Sequence, residues 1–192
     1  MSSLSKIAIV TSHPIQYNAP LFKRLAGVSC IDLLVFYTWG KDGAGKKYDP
    51  DFNREISWDL PLLEGYDYRF CENTSKKPGS HYFNGIKTPN LIFQIEEWQP
   101  DIVWVWGWAF QSHLKVLRHF KGRSIVWFRG DSTLLDEPSG FSLKKLLRKV
   151  FLKWVYSHID KAFYVGTHNK DYFLKFGLKS IFGEKIEYRR LG

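Results

Sequence analysis

Cysteine is scarce: the 192 residues contain only Cys30 and Cys71, with no CxxC pair and no His/Cys cluster at metal-ligand spacing. A disulfide framework is therefore excluded, no metal is expected, and a reducing cytoplasm is the simplest setting. Long apolar runs are also missing. The longest fall well below the roughly 20 residues of a membrane-spanning helix. The opening MSSLSKIAIVTS returns to polar residues after four to five apolar ones, too few for a signal-peptide core, so export is not expected. Acids are in deficit, with 19 Asp and Glu against 28 Lys and Arg for a net charge of +9. That balance calls for anionic company: nucleic acid, phosphorylated substrates or an acidic membrane surface. No internal repeat or low-complexity tract is present.

The chain is instead rich in apolar residues (44%) and aromatics (17%), which suits one folded domain with a substantial core. Its hydrophobic segments alternate in type. Lys6–Thr11, Cys30–Thr38, Asp101–Trp106, Ser124–Arg129 and Lys161–Val165 are expected strands, and Tyr66–Cys71 alternates like an edge strand. Helices are expected over Ala19–Ala26 (Asn18 as N-cap, Pro20 in the first turn, Gly27 as stop), Thr88–Trp98, Ala109–Phe120, Phe141–His158 and His168–Phe176. Residues 39–65 are polar and turn-rich. Strand–helix alternation of this kind predicts a parallel sheet wrapped by helices, with ligands at the carboxyl ends of its strands.

That rule selects the residues following each strand. His13, Gln16, Tyr17 and Asn18 follow the first, and Trp39 and Gly40 the second. Gly107 and Trp108 follow DIVWVW, Arg129 to Thr133 close SIVWFRGDST, and Gly166, Thr167, His168 and Asn169 come last. Arg129-Gly130-Asp131-Ser132 is the sharpest signal. Gly130 would admit a ligand close to the backbone, Asp131 could orient or deprotonate a hydroxyl, and Arg129 could neutralise a phosphate. A structural Arg–Asp pair is the plainer alternative. Trp104 and Trp106 suit core packing, whereas Trp108, beyond Gly107, is free to meet a sugar ring or base.

Two further stretches carry charge. GKDGAGKK, Gly40 to Lys47, approaches the phosphate-loop pattern, but Lys47 replaces the magnesium-binding Ser or Thr and YDPDFNRE does not open a helix. In the Phe141–His158 helix, Leu143, Leu146, Leu147, Val150, Phe151, Trp154 and Val155 form an apolar stripe with Leu152 off the pattern. Lys144, Lys145, Arg148, Lys149 and Lys153 fill the other face. Core packing with a solvated basic face and docking on acidic headgroups both fit such a helix.

In order from Lys6 to Ile181, KIAIVTSHPIQYNAPLFKRLA, WDLPLLEGYDYRF, PDIVWVWGW, VWFRGDSTL and FYVGTHNKDYFLKFG resemble the N-terminal domain of group 1 glycosyltransferases, family 4 of the GT-B superfamily. The resemblance implies an α/β fold: a three-layer Rossmann-like parallel sheet with helices on both faces, one half of a GT-B enzyme. It implies a retaining transfer from a nucleotide-sugar, a co-substrate rather than a resident cofactor, to a glycan or glycolipid acceptor in envelope or polysaccharide synthesis. Asp131 and His13 are then the expected catalytic groups. Gln16, Tyr17, Trp108, Arg129, Ser132, Thr167 and Asn169 are the expected substrate-binding ones. The domain would span 1–181, with 182–192 a tail standing where a donor-binding domain should begin. The expected partners are that domain, in cis or in trans, and an acidic surface at the inner membrane face. Alone, the chain is expected to be inactive. The alternatives are half of a nucleotide-sugar epimerase, which needs paired acids, and a non-catalytic anion- or nucleic-acid-binding module. Nucleic acid is disfavoured because the basic residues cluster on one helix and in the 41–47 loop, apart from exposed aromatics.

Overall fold

Along the central strands, alternate side chains enter different cores, the period-two signature of a sheet covered on both sides. The computed structural model describes residues 4–41, 47–49, 54–56, 61–135, 142–179 and 181–182. Ile7 and Ile9 of β1 (Ser5–Thr11) face one core, and Ala8 and Val10 the other. Leu33, Val35 and Tyr37 of β2 (Ile31–Tyr37) and Trp104 and Trp106 of β6 (Ile102–Trp106) join the first core. Leu34, Phe36, Val103 and Val105 join the second.

Together with β5 (Asp67–Phe70), β7 (Ile125–Arg129), β8 (Lys161–Phe163) and β9 (Ile181–Phe182), these strands form a seven-stranded sheet in the order β5-β2-β1-β6-β7-β8-β9. Every pairing in it is parallel. The chain moves outward from β1 through β2 to β5, then crosses back to β6 on β1's other side. This is a Rossmann-like α/β fold, and its topological switch point lies between β1 and β6. Helix α1 (Ala19–Ala26) covers the first core through Ala19 and Phe22. Helices α2 (Leu91–Trp98), α3 (Gln111–Phe120), α4 (Leu143–Tyr156) and α5 (Thr167–Lys175) cover the second. No helix among the described residues is long and apolar enough to cross a membrane.

Several expectations are corrected. The turn-rich stretch contains a small antiparallel hairpin, β3 (Lys47–Asp49) with β4 (Arg54–Ile56). Lys47 thus opens a strand, not the helix a phosphate loop needs, while residues 42–46 of that motif lie outside the described residues. Helix α2 begins at Leu91 rather than Thr88, because Pro89 bars its predecessor from helical geometry. The largest correction concerns α4. Leu152 is fully buried with Val155 and Tyr156, while Leu143, Leu146, Leu147, Val150, Phe151 and Trp154 are exposed. The short stripe seats the helix on the sheet, and the longer one points away. Strand β9 straddles the expected domain boundary at 181, and residues 183–192 lie outside the described residues.

Candidate functional site

At the switch point the ends of β1, β6 and β7 part around a cleft of about 320 Å³. It is lined by Thr11, Ser12, Ile15, Tyr17 and Asn18 from β1 to the start of α1, Trp106 and Gly107 from β6, and Arg129, Gly130 and Asp131 from β7. Gly107 has φ +79°, where a side chain would be strained. Its turn also breaks the alternation of WVWGW. Trp106 stays on the α1 face, whereas Trp108 turns to the other face and packs its ring 5.5 Å from Phe151 of α4.

Arg129 is held on two sides. Its guanidinium lies 4.2 Å from the centre of the Trp106 ring, and Nη1 donates to Asn18 Oδ1 at 3.2 Å. Asn18 therefore does not cap α1 with its side chain, as its position suggests; it is 4% exposed and spends its carbonyl on the arginine. Burial lowers the pKa of Arg129, and the negative charge of Asp131 acts in the opposite direction. Asp131 is exposed on the same lip, and Tyr17, 79% exposed, stands across from it on the β1 side. The cleft thus offers a restrained cation, an accessible carboxylate and an aromatic face within one concavity.

Other candidates lie off this lining. His13 is half-buried, its Nδ1 3.0 Å from Ser12 Oγ and its ring edge-on to Trp39 at 5.1 Å. Gln16 is half-buried, and Ser132 and Thr167 are exposed. Asn169 is 2% exposed and fully engaged within the protein: Oδ1 accepts from Val165 N at 3.1 Å and Nδ2 donates to Ser132 O at 2.7 Å. It ties the β8 loop to the Ser132 backbone and so braces the segment carrying Asp131. Gly130 has a structural reason of its own, since a Cβ there would meet the Phe128 ring at 3.0 Å.

A buried histidine that no motif announces sits behind the cleft. Lone histidines on amphipathic helices carry no sequence signal, yet His113 of α3 has no exposed surface. Its Nδ1–H donates to Gly107 O at 2.9 Å, which leaves Nε2 to accept from the Thr38 hydroxyl at 2.8 Å. That hydroxyl is also 3.1 Å from Thr11 O. The imidazole thus joins the ends of β1, β2 and β6. Burial lowers its pKa to about 4, opposed by its backbone hydrogen bonds with Gly107 and Trp106, so it is neutral at pH 7.

Among the described residues no group of His, Cys, Asp and Glu side chains is placed to hold a metal ion. Cys71 is buried, and burial raises its thiol to about 12, far from a reactive thiolate. Fold and site together define a Rossmann-like α/β protein with a mixed-charge cleft at its switch point. No protein-family model matches the chain, and no curated protein matches it.

Proposed function

We propose that the chain is the acceptor-binding N-terminal domain of a retaining GT-B glycosyltransferase, acting with a donor-binding domain to move a sugar from a nucleotide-sugar to a glycan or glycolipid. The observation that carries this reading is the juxtaposition of Asp131 and Arg129 on one lip of the switch-point cleft. In this reading Asp131 accepts a hydrogen bond from the acceptor hydroxyl that becomes the new glycosidic oxygen. Arg129 offsets anionic charge developing as the sugar–diphosphate bond breaks. Tyr17 offers a sugar ring a flat face, and Asn18 and Asn169 position the two lips. Asp131 is the sole carboxylate among the described residues lining the cleft, so the paired acids of an epimerase find no support here.

Saturation-transfer NMR with a panel of methyl glycosides, on the chain and on Asp131→Asn, tests the proposal. It expects a saturable glycoside signal that weakens about tenfold in the variant, with weak oligonucleotide binding. Absence of glycoside contact, together with tight, salt-dependent oligonucleotide binding indifferent to Asp131→Asn, overturns it in favour of a nucleic-acid-binding module.

A further inference from the structure

A surface helix needs one apolar stripe, turned toward the core. Helix α4 has two, on opposite sides. At 100° per residue, Leu152, Val155 and Tyr156 cluster around one direction, and Leu143, Leu146, Leu147, Val150 and Trp154 around the opposite one. The outward stripe is open to solvent, with Leu143 68%, Leu147 61% and Val150 60% exposed. A run of large exposed side chains this long on one helix marks an interaction surface.

The charges around the stripe identify its occupant. Lys144 borders one edge, and Lys149 and Lys153 the other, with no acid anywhere in Leu143–Tyr156. Lys145 and Arg148 fall on the inward side, where Arg148 donates to the Tyr172 hydroxyl at 3.0 Å. Trp154, at the far end of the stripe, has the Arg118 guanidinium 5.4 Å from its ring centre. Arg118 in turn belongs to a shallow basic depression shared with Lys115, Lys121, Arg123 and His158. Protein interfaces deplete charge around their apolar centres, and α4 against its own copy would set lysine rows of one sign face to face. An apolar centre bordered by lysines, with a tryptophan at its end, matches the boundary between acyl chains and anionic headgroups. Fourteen residues make a helix about 21 Å long, which lies in that boundary and does not cross it.

We infer that α4 is a monotopic membrane anchor. Leu143, Leu146, Leu147, Val150 and Trp154 enter the interfacial layer of an anionic bilayer, while Lys144, Lys149 and Lys153 reach its phosphates. The anchor stands on α4 alone and does not depend on the chemistry of the cleft.

Vesicle flotation decides the matter. The chain should float with vesicles containing phosphatidylglycerol and less with phosphatidylcholine alone, and binding should weaken as salt rises. Leu147→Glu and Val150→Glu, at exposed positions, should each cut binding at least about tenfold with no change in thermal midpoint. Lys149→Glu with Lys153→Glu should remove most of the salt dependence. Failure to bind phosphatidylglycerol vesicles overturns the inference, and so does binding that Leu147→Glu leaves intact. A dimer in analytical ultracentrifugation that Leu147→Glu dissolves, without vesicle binding, overturns it in favour of self-association.

Discussion

Helices α3 and α4 lie on the same side of the sheet, and both look amphipathic and basic in sequence, yet they are seated in different ways. Helix α3 buries Leu114, Val116, Leu117 and Phe120, and with them the polar Ser112 and His113. Each polar group is satisfied: Ser112 Oγ accepts from Thr88 N and donates to Ile86 O, and His113 bridges Gly107 and Thr38. Helix α4 buries only Leu152, Val155 and Tyr156 and holds its longer apolar row away from the core. Periodicity shows that a helix has an apolar row; what meets that row is decided by the rest of the fold. Buried polar groups, conversely, are invisible to periodicity and obvious in packing.

The largest expected effect sharpens this contrast within α4 itself. Leu152→Ala empties a fully buried site and should cost about 2–5 kcal/mol in urea unfolding. Leu147→Ala, one and a half turns away on the exposed row, should stay within about 0.5 kcal/mol. Equal costs would mean that both rows of α4 are packed.

Next comes the pH response of α3. The folded pKa of His113, about 4, lies below the unfolded value of 6.5, so the unfolded chain binds the proton more readily. The histidine's contribution to stability is complete above pH 6.5 and declines as pH falls toward 4, by about 3 kcal/mol in all. Urea titrations across this window should show the loss, and His113→Gln should flatten it. Should the wild-type profile be flat there, His113 is not the buried neutral group its surroundings describe.

The smallest of the three concerns the brace behind Asp131. Asn169→Ala leaves Val165 N–H and Ser132 C=O without their partner and should cost about 1–3 kcal/mol in thermal or urea unfolding. Thr167→Ala, at an exposed neighbouring position, should be near neutral.

Strand order aside, the α/β layering was legible because β1, β2, β6 and β7 read as short, nearly continuous apolar runs, as strands covered on both faces do, and α1 and α3 repeat near 3.6. The β3–β4 hairpin was not, since three-residue strands give no period to count. That the residues following the strands gather at one end of the sheet was legible too: Tyr17, Arg129 and Asp131, which close β1 and β7, meet in one cleft. What failed was side-chain direction. A left-handed Gly107 sends Trp108 to the opposite face, and Asn169 turns inward because two unpaired backbone groups lie within its reach. Gly130 lines the cleft and also makes room for the Phe128 ring, a second reason for glycine that the sequence does not reveal.

The all-parallel sheet also fixes an order of assembly. Strand β1 is apolar on both sides and pairs with β2 and β6, but β6 does not begin until Ile102. A nascent chain must therefore carry a bare, hydrophobic edge of β1 until the residues from Ile102 onward have been made. None of the sheet's ladders is a hairpin, so each waits on the closure of a long loop, the topology that folds slowly. The concavity around Arg129 and Asp131 exists only after the chain has crossed back from β5 and laid β6 and β7 beside β1, so the site waits on ladders that no local turn can close.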